Sequence, residues 1–168
     1  MSEAFESVAP DLAPPGYRLG EVIGRGATGV VLQATDPDAR PIALKIARDY
    51  QLPMIGHLRA EIALLKRVQH PGLINLRDSG VIRGLPWYTM DLLPSRTLAD
   101  RCAEAPYDPD AAVALLVRLL ETVEAIHARG YLHGDLKPEN VFLRDSATPI
   151  IGDLDLICLL YTSDAADE

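Results

Sequence analysis

The feature that most constrains this 168-residue chain is a polar stretch near its C-terminal end. Residues 133–140 read His-Gly-Asp-Leu-Lys-Pro-Glu-Asn, which places a carboxylate, an ammonium and an amide close together at Asp135, Lys137 and Asn140. Pro138 excludes the interior of an ordinary helix, because it has no N–H and crowds the preceding turn. The stretch therefore predicts a loop. A capped polar turn after a helix would explain any one of these residues, but not all of them together.

The stretch resembles the catalytic loop of the eukaryotic-type serine/threonine protein kinases, His-Arg-Asp-Leu-Lys-Pro-Glu-Asn, with Gly134 in place of the arginine. Phosphoryl transfer in that family needs a carboxylate that orients the acceptor hydroxyl, a cation near the moving phosphate and an oxygen ligand for Mg²⁺. The resemblance assigns these roles to Asp135, Lys137 and Asn140. In the family the arginine pairs with a phosphorylated activation loop, so its absence here argues against control by such phosphorylation.

A second motif lies near the N-terminus, where residues 24–31 read Gly-Arg-Gly-Ala-Thr-Gly-Val-Val. Three glycines allow backbone N–H groups to approach phosphates without a clash from Cβ atoms. A dinucleotide-binding turn would be followed by a helix, whereas residues 30–35 are typical of a strand and precede an Asp-Pro-Asp turn. The motif resembles the kinase glycine-rich loop. That resemblance assigns nucleotide binding to Ile23, Gly24, Arg25, Gly26, Ala27, Thr28, Gly29, Val30 and Val31.

Residues 42–46, Ile-Ala-Leu-Lys-Ile, predict a third strand and resemble the Val-Ala-Ile-Lys segment of the same family. The resemblance places Lys45 on the α- and β-phosphates of ATP and Ala43 against the adenine. Apolar residues then recur at helical spacing between residues 58 and 68. This helix contains Glu61, which the resemblance makes the ion-pair partner of Lys45. The alternative is that both charged side chains face solvent.

Arg83-Gly84 predicts the turn of a hairpin that ends with residues 87–90, Trp-Tyr-Thr-Met. This hairpin leads into a segment that resembles the kinase hinge. By resemblance Met90 borders the adenine pocket, although core packing explains Met90 equally well. The backbone groups of Asp91 and Leu93 would bond the adenine edge. Phe142, in a short predicted hairpin after the catalytic loop, corresponds to the floor of the adenine site in the family.

Residues 152–155, Gly-Asp-Leu-Asp, resemble the metal-binding Asp-Phe-Gly segment. The resemblance makes Asp153 the main Mg²⁺ ligand beside Asn140, because hard cations prefer oxygen ligands. Leu154 in place of phenylalanine is a mild change. Asp155 in place of glycine is a larger one, since glycine adopts backbone angles that cost other residues energy.

Two helices are predicted between the hinge and the catalytic loop. A short one covers residues 98–102, and a long one begins at Pro109 and is closed by Gly130. The long helix is expected to bury an apolar face that consists of Ala112, Leu115, Leu116, Leu119, Val123 and Ile126.

Composition excludes several classes of function. The net charge of −8 opposes non-specific binding to nucleic acid and to an anionic membrane surface. The two cysteines predict neither a disulfide framework nor a metal site, and we expect a cytoplasmic location without a signal peptide or membrane span. Arginine outnumbers lysine thirteen to three, a bias typical of GC-rich bacterial genomes. Two of the three lysines, Lys45 and Lys137, lie where the family pattern has lysine, so we expect these positions to require a compact ammonium.

The resemblances cover residues 17–157 and imply an α+β, protein-kinase-like fold. A five-stranded antiparallel small lobe with one main helix would precede the start of a mainly helical large lobe. The expected organisation is a disordered lead-in at 1–15, the small lobe at 16–93 and the large-lobe segment at 94–157. Residues 158–168 resemble a translated sequencing adapter, so we expect a non-native tail. A complete domain of the family is longer, so this chain is expected to be an N-terminal part of it and inactive alone.

The implied function is transfer of a phosphoryl group from ATP, with Mg²⁺, to serine or threonine hydroxyls of a protein substrate. Two alternatives remain open. Small-molecule phosphotransferases of the aminoglycoside or choline kinase type share the fold and often contain His-Gly-Asp, but residues 137–139, Lys-Pro-Glu, and the glycine-rich loop oppose that assignment. A pseudokinase that only binds nucleotide would account for Gly134 and Asp155, but the retained Asp135 and Lys45 oppose it.

Overall fold

The computed structural model describes four segments of the chain, residues 12–48, 50–145, 147–154 and 158–159. The predictions for Asp155, for most of the lead-in and for the end of the tail lie outside the described residues. Within the lead-in, the carbonyl oxygen of Pro14 accepts a hydrogen bond from the backbone N–H of Tyr17 at 3.0 Å. This bond closes a turn just before the first strand.

Five strands form one antiparallel sheet. They are β1 (Arg18–Arg25), β2 (Gly29–Thr35), β3 (Pro41–Ala47), β4 (Leu76–Ile82) and β5 (Leu85–Asp91). Their spatial order is β1-β2-β3-β5-β4, so β3 lies in the middle and the chain leaves the sheet between β3 and β4. One helix, α1 (Leu52–Arg67), occupies that connection. The sheet and its single helix confirm the predicted fold class.

Burial distinguishes the inner strands from the two edge strands, β1 and β4. Every residue of β3 after Pro41 is buried, and so is every residue of β5 before Asp91. Strand β1 at the sheet edge has no buried residue and mixes exposed with half-buried positions. An unbroken apolar run suits a strand that is covered on both faces. The polar side chains that β3 and β5 do carry are therefore placed in the core.

The hairpin between β4 and β5 is formed by the predicted Arg-Gly turn. Arg83 and Gly84 have φ angles of 48° and 82°. Two consecutive residues with positive φ make the two-residue turn whose twist matches that of a hairpin, and glycine adopts this conformation readily. The turn sets the register of the two strands, which places Ser79 opposite Tyr88.

Helix α1 has the predicted apolar face. Leu58, Ile62 and Leu65 are buried at the expected helical spacing. Glu61 is also completely buried, with 0% of its surface exposed. A carboxylate in such a position is stable only when it is paired or hydrogen-bonded.

The chain divides into two compact units. The first contains the residues up to Ile62 together with Leu76–Leu92, and the second contains Ala63–Asn75 together with the residues from Leu93 onward. The second unit holds helices α2 (Leu98–Glu104) and α3 (Pro109–His127) and four short strands, β6 (Tyr131–Leu132), β7 (Val141–Leu143), β8 (Pro149–Ile151) and β9 (Cys158–Leu159). The glycine-rich loop and the catalytic-loop stretch thus belong to different units.

Side-chain caps define where both helices of the second unit begin. The Oγ1 atom of Thr97 accepts a hydrogen bond from N–H of Asp100 at 3.2 Å, and Oδ2 of Asp100 accepts one from N–H of Thr97 at 2.8 Å. This reciprocal pair is a capping box. Asp108 caps α3 through the N–H of Asp110 at 3.0 Å, and Pro109 occupies the first turn, where its missing N–H costs nothing. Helix α3 thus begins where the sequence predicted.

The buried stripe of α3 consists of Leu115, Leu119, Thr122 and Ile126. Leu116 was predicted on this face, but it is 55% exposed. That prediction is wrong because a helix turns about 100° per residue, which moves Leu116 off the stripe that begins at Leu115. Among the described residues, no helix combines the length and the apolar character that a membrane crossing requires.

Two small antiparallel ladders flank the catalytic-loop stretch. Strands β7 and β8 form the predicted hairpin, with Val141 opposite Ile151. Strands β6 and β9 pair Leu132 with Cys158. Ladder hydrogen bonds join main-chain atoms, which any sequence provides, so this pairing does not test whether residues from 158 onward are native. The expected non-native tail stays a prediction.

Candidate active site

The glycine-rich loop joins β1 to β2, as predicted. The backbone N–H of Gly26 donates to the carbonyl oxygen of Gly29 at 2.9 Å and closes the loop. A Cβ atom on Gly29 would lie 2.4 Å from the carbonyl oxygen of Ile46 on β3, so a larger residue cannot fit unless the strand moves. The residues assigned to nucleotide binding follow this loop: Ile23, Gly24 and Arg25 end β1, Gly26, Ala27 and Thr28 form the turn, and Gly29, Val30 and Val31 begin β2.

Lys45 and Glu61 form a buried ion pair in the first unit. The Nζ atom of Lys45 lies 2.8 Å from Oε2 and 3.1 Å from Oε1 of Glu61. The side chains are 4% and 0% exposed. The sheet places Lys45 opposite Val31, the last residue of the glycine-rich motif. The structure thus brings together the lysine and the glutamate that the sequence selected.

Tyr88 completes this cluster, and sequence reasoning did not select it. Its hydroxyl donates to Oε1 of Glu61 at 2.9 Å, and the residue is 1% exposed. A signal was present, because a tyrosine inside a run of buried residues needs a partner for its hydroxyl. The sequence could not supply the register of β3 against β5, which places Tyr88 opposite Lys45.

The segment that resembles the hinge begins at the end of β5. Met90 is 9% exposed and lies opposite Ala43, the residue expected to pack on adenine. The carboxylate of Asp91 accepts a hydrogen bond from Nε of Arg77 at 2.6 Å, which ties the start of this segment to β4. Leu93, the other predicted backbone contact, is the first residue of the second unit's main segment. The assigned roles of these residues in nucleotide binding remain predictions.

The catalytic-loop stretch brings three predicted side chains together. The Nζ atom of Lys137 lies 2.6 Å from Oδ2 of Asp135. The Nδ2 atom of Asn140 donates to the carbonyl oxygen of Asp135 at 2.8 Å and to its Oδ2 at 3.1 Å. The hydrogen bond from Lys137 holds the pKa of the Asp135 carboxyl below its usual value, and that from Asn140 acts in the same direction. The same contact raises the pKa of the Lys137 ammonium.

The contacts of His133 and the backbone angle of Gly134 fix the start of this loop. His133 is buried, and its Nε2 lies 3.1 Å from the carbonyl oxygen of Gly152, while its Nδ1 accepts from the N–H of Asp135 at 3.3 Å. Those partners suit a neutral ring with the proton on Nε2, and burial lowers the pKa of this histidine. Gly134 has a φ of 80°, a left-handed conformation that favours glycine over arginine.

Asp153 directly follows Gly152, whose backbone is bonded to the catalytic-loop stretch. The N–H of Gly152 donates to the carbonyl oxygen of Asn140 at 2.9 Å, so the backbones of the two predicted metal-binding segments are joined. Asp153 itself has a φ of 52°. A Cβ atom on Gly152 would lie 2.8 Å from the ring of Phe142, which shows that this ring packs directly against the glycine. Phe142 is therefore beside the predicted metal segment.

The residues that surround Asp135 and Asp153 suit Mg²⁺. Asn140 turns its Nδ2 toward Asp135, and its Oδ1 and the carboxylate of Asp153 are oxygen atoms of the kind that Mg²⁺ binds. Mg²⁺ is commonly held by one or two protein oxygen ligands together with phosphate oxygens. In the described part of the chain no group of three or more His, Cys, Asp or Glu side chains could hold a metal by itself.

Comparison with known proteins agrees with the geometry. The family model described as "Protein kinase domain" matches residues 17–167. Similar proteins include CBL-interacting protein kinase 19 of Oryza sativa subsp. japonica (31% identical, covering 83% of this chain and 28% of that protein). Others are the serine/threonine-protein kinases pkn2 of Myxococcus xanthus (32%, covering 78% and 16%) and PkaB of Streptomyces coelicolor (33%, covering 76% and 31%).

These relatives are much longer than the chain. It spans less than a third of the length of each of these three relatives. The matched residues include the glycine-rich loop, the Lys45–Glu61 pair and the catalytic-loop stretch. With the family model matching most of its length, the chain belongs to the protein kinase domain family.

Proposed function

We propose that the complete protein containing this chain transfers the γ-phosphoryl group of ATP to serine or threonine hydroxyls of proteins. The observation that carries this proposal is the arrangement at Asp135, whose carboxylate is bonded by Lys137 at 2.6 Å and by Asn140 at 3.1 Å. The printed names of two bacterial relatives, serine/threonine-protein kinases, support the acceptor class. Neither the small-molecule phosphotransferase nor the pseudokinase gains support from these comparisons.

Asp135 is suited to orient an acceptor hydroxyl. The carboxylate is ionised at neutral pH, as an aspartate ordinarily is, and its lowered pKa keeps it so in acid as well. It could therefore accept a hydrogen bond from an incoming O–H. A carboxylate of low pKa is a weak base, so it would take the proton late, as the bond from phosphorus to the acceptor oxygen forms. This suits a loose transition state, in which positioning matters more than early deprotonation. Lys137, beside the same carboxylate, would hold positive charge near the transferred group.

The first unit is suited to hold the nucleotide. Backbone N–H groups of the loop between β1 and β2 would bind phosphate oxygens, and the ammonium of Lys45 would neutralise their charge. Glu61 keeps that ammonium in one position. The adenine would contact Ala43 and Met90, with a backbone bond at Asp91.

Mg²⁺, when bound with ATP, would neutralise charge on the β- and γ-phosphate oxygens. Asn140 and Asp153 are the residues that would hold it, since both offer oxygen ligands. Asn140 would be held in place for this role by the hydrogen bond that its side-chain Nδ2 donates to the carbonyl oxygen of Asp135. The net charge of −8 leads us to propose that the protein does not bind nucleic acid. The family leads us to propose that its substrate is a protein.

The expected lobes and location belong to the same proposal. We assign residues 16–93 to the small lobe and residues 94–157 to the start of the large lobe, preceded by a lead-in at 1–15. We further propose that the protein is cytoplasmic. Cys102, the cysteine outside the expected non-native tail, is unpaired, which suits a reducing compartment.

The decisive experiment changes Asp135 in the complete protein. With γ-labelled ATP, the wild type should label serine or threonine in a mixed panel of proteins, but not aminoglycosides or choline. Asp135→Ala should lower the rate by roughly a hundredfold to ten-thousandfold while the affinity for MgATP is retained. Glu139→Ala, which removes an exposed carboxylate from the same loop, is the matched control and should stay active. Unchanged turnover in Asp135→Ala, or labelling of small molecules alone, would defeat the proposal.

A further inference from the structure

The carboxylate of Glu61 receives hydrogen bonds from two different strands. Lys45 on β3 contacts both of its oxygens, at 2.8 Å and 3.1 Å, and Tyr88 on β5 contacts Oε1 at 2.9 Å. Lys45 and Tyr88 are directly opposite in the β3–β5 ladder, so their side chains emerge on the same face of the sheet. The glutamate from α1 thus meets a lysine and a tyrosine side by side.

The tyrosine adds a constraint that the lysine alone cannot provide. An ammonium is a compact cation on a flexible stem, and it can follow a carboxylate that rotates. The Tyr88 hydroxyl is carried by a rigid ring on an inner strand, and the residue is 1% exposed. Its bond to Oε1 therefore restricts rotation of the Glu61 carboxylate. With the carboxylate held, the Lys45 ammonium has one preferred position.

We infer that Tyr88 is a positioning residue, which orients Glu61 and through it holds the Lys45 ammonium for the phosphates of ATP. This inference rests on the proposed function, since it concerns the same site. Tyr88 acts at one remove from the nucleotide, because the atom it contacts belongs to Glu61. The competing interpretation is that Tyr88 is a core residue whose hydroxyl merely meets its own need for a partner.

A double-mutant cycle distinguishes the two interpretations. Tyr88→Phe removes the hydroxyl and keeps the ring, and Glu61→Leu removes both acceptor oxygens and keeps most of the buried volume. The two single variants, the double variant and the wild type are compared in the complete protein by kcat/KM for ATP. If Tyr88 acts through Glu61, Tyr88→Phe should lower kcat/KM about tenfold in the wild-type background, as expected for a lost hydrogen bond to a charged group. In the Glu61→Leu background the same change should alter it by less than about twofold.

Thr89→Val is the matched control. It also deletes one hydroxyl from a buried residue of β5, but adjacent strand residues face opposite sides of the sheet, so Thr89 points away from Glu61. Its Oγ1 lies 3.5 Å from the carbonyl oxygen of Asp78 on β4. This variant should retain the wild-type kcat/KM.

Several results would overturn the inference while leaving the proposed function intact. They are wild-type kcat/KM in Tyr88→Phe, an equal loss in the wild-type and Glu61→Leu backgrounds, or a Tyr88→Phe protein that does not fold while Thr89→Val does. Each would show that Tyr88 is structural. If instead the wild type transfers no phosphoryl group, the proposed function fails. The same cycle is then measured by the affinity for MgATP, where additive losses would overturn the inference and a coupled loss would sustain it.

Discussion

The Nζ atom of Lys45 lies 2.8 Å from Oε2 of Glu61, with both side chains almost fully buried. Two opposite charges removed from water depend on each other, because the desolvation of each is compensated by its partner. The pair also joins the middle strand of the sheet to helix α1. One contact therefore contributes both to packing in the first unit and to the position of the lysine that we assign to ATP.

Removing either partner should destabilise the fold more than removing both. Glu61→Leu leaves a buried ammonium, and Lys45→Met leaves a buried carboxylate, so each should lower the free energy of unfolding by about 3–5 kcal/mol. The double variant replaces the pair with apolar side chains and should lose much less than the sum. Urea denaturation of the four proteins gives these values. Strictly additive losses would mean that the two charges do not stabilise each other.

Gly29→Ala should be more harmful than Gly24→Ala. A Cβ atom at Gly29 would meet the carbonyl oxygen of Ile46 at 2.4 Å, whereas one at Gly24 would meet the Val31 side chain at an ordinary 3.6 Å. The first change must push β2 away from β3, at about 1–3 kcal/mol. Denaturation should show this loss, and titration with MgATP should show weaker binding. Equal stability of the two variants would contradict the close approach at Gly29.

Alanine should have opposite effects at two other glycines. Gly134 has a φ of 80°, so Gly134→Ala should lower the free energy of unfolding by about 1–2 kcal/mol. Gly56 lies within α1, and nothing lies within 4 Å of an added Cβ atom, so Gly56→Ala should raise it by about 0.5–1 kcal/mol. Both values come from chemical denaturation. A Gly134→Ala protein as stable as the wild type would show that this loop relaxes without cost.

The His133 ring should make the fold sensitive to mild acid. Burial lowers its folded pKa, while the charges of Asp135 and Asp153 partly oppose the shift. The unfolded chain gains a proton near its ordinary pKa of about 6.5, and the folded chain binds that proton only at lower pH. The contribution of His133 to the free energy of unfolding is therefore complete above the unfolded pKa of about 6.5 and is lost as the pH falls from there through the lower folded pKa.

His133→Gln tests this dependence, because glutamine can donate to the Gly152 carbonyl but does not titrate. At pH 7.5 the variant should be less stable than the wild type. The difference between the two unfolding free energies should shrink as the pH is lowered from 7 to 5. A difference that stays constant or widens over that range would exclude His133 as the responsible group.

Most of the fold could be predicted because its signals are local. Apolar spacing revealed α1, the Arg83-Gly84 turn revealed the β4–β5 hairpin, and Pro109 marked the start of α3. The buried face of α3 was predicted less accurately. Leu116 was assigned to it from its apolar character, although the stripe is set by what packs on the helix.

The site residues, like the elements of the fold, could be predicted where they are close in sequence and less well where they are far apart. Asp135, Lys137 and Asn140 are close in sequence, so the loop that contains them could be recognised as one unit, and the structure shows their side chains in contact. The pairing of Lys45 with Glu61 crosses a larger interval, and it was expected only through the family resemblance. Tyr88 has no such motif, and it was missed.

The sequence by itself determined the order of the elements and the position of each motif, because turn chemistry, periodicity and spacing act over a few residues. The family was indicated by the resemblance of those motifs. Tertiary structure alone decided that Glu61 is buried, that Gly29 admits no side chain, and that Tyr88 reaches Glu61 across 27 residues of sequence. The physical reason is strand register. The alignment of β3 with β5 results from packing of the whole sheet, and it places the Tyr88 hydroxyl beside the Lys45 ammonium.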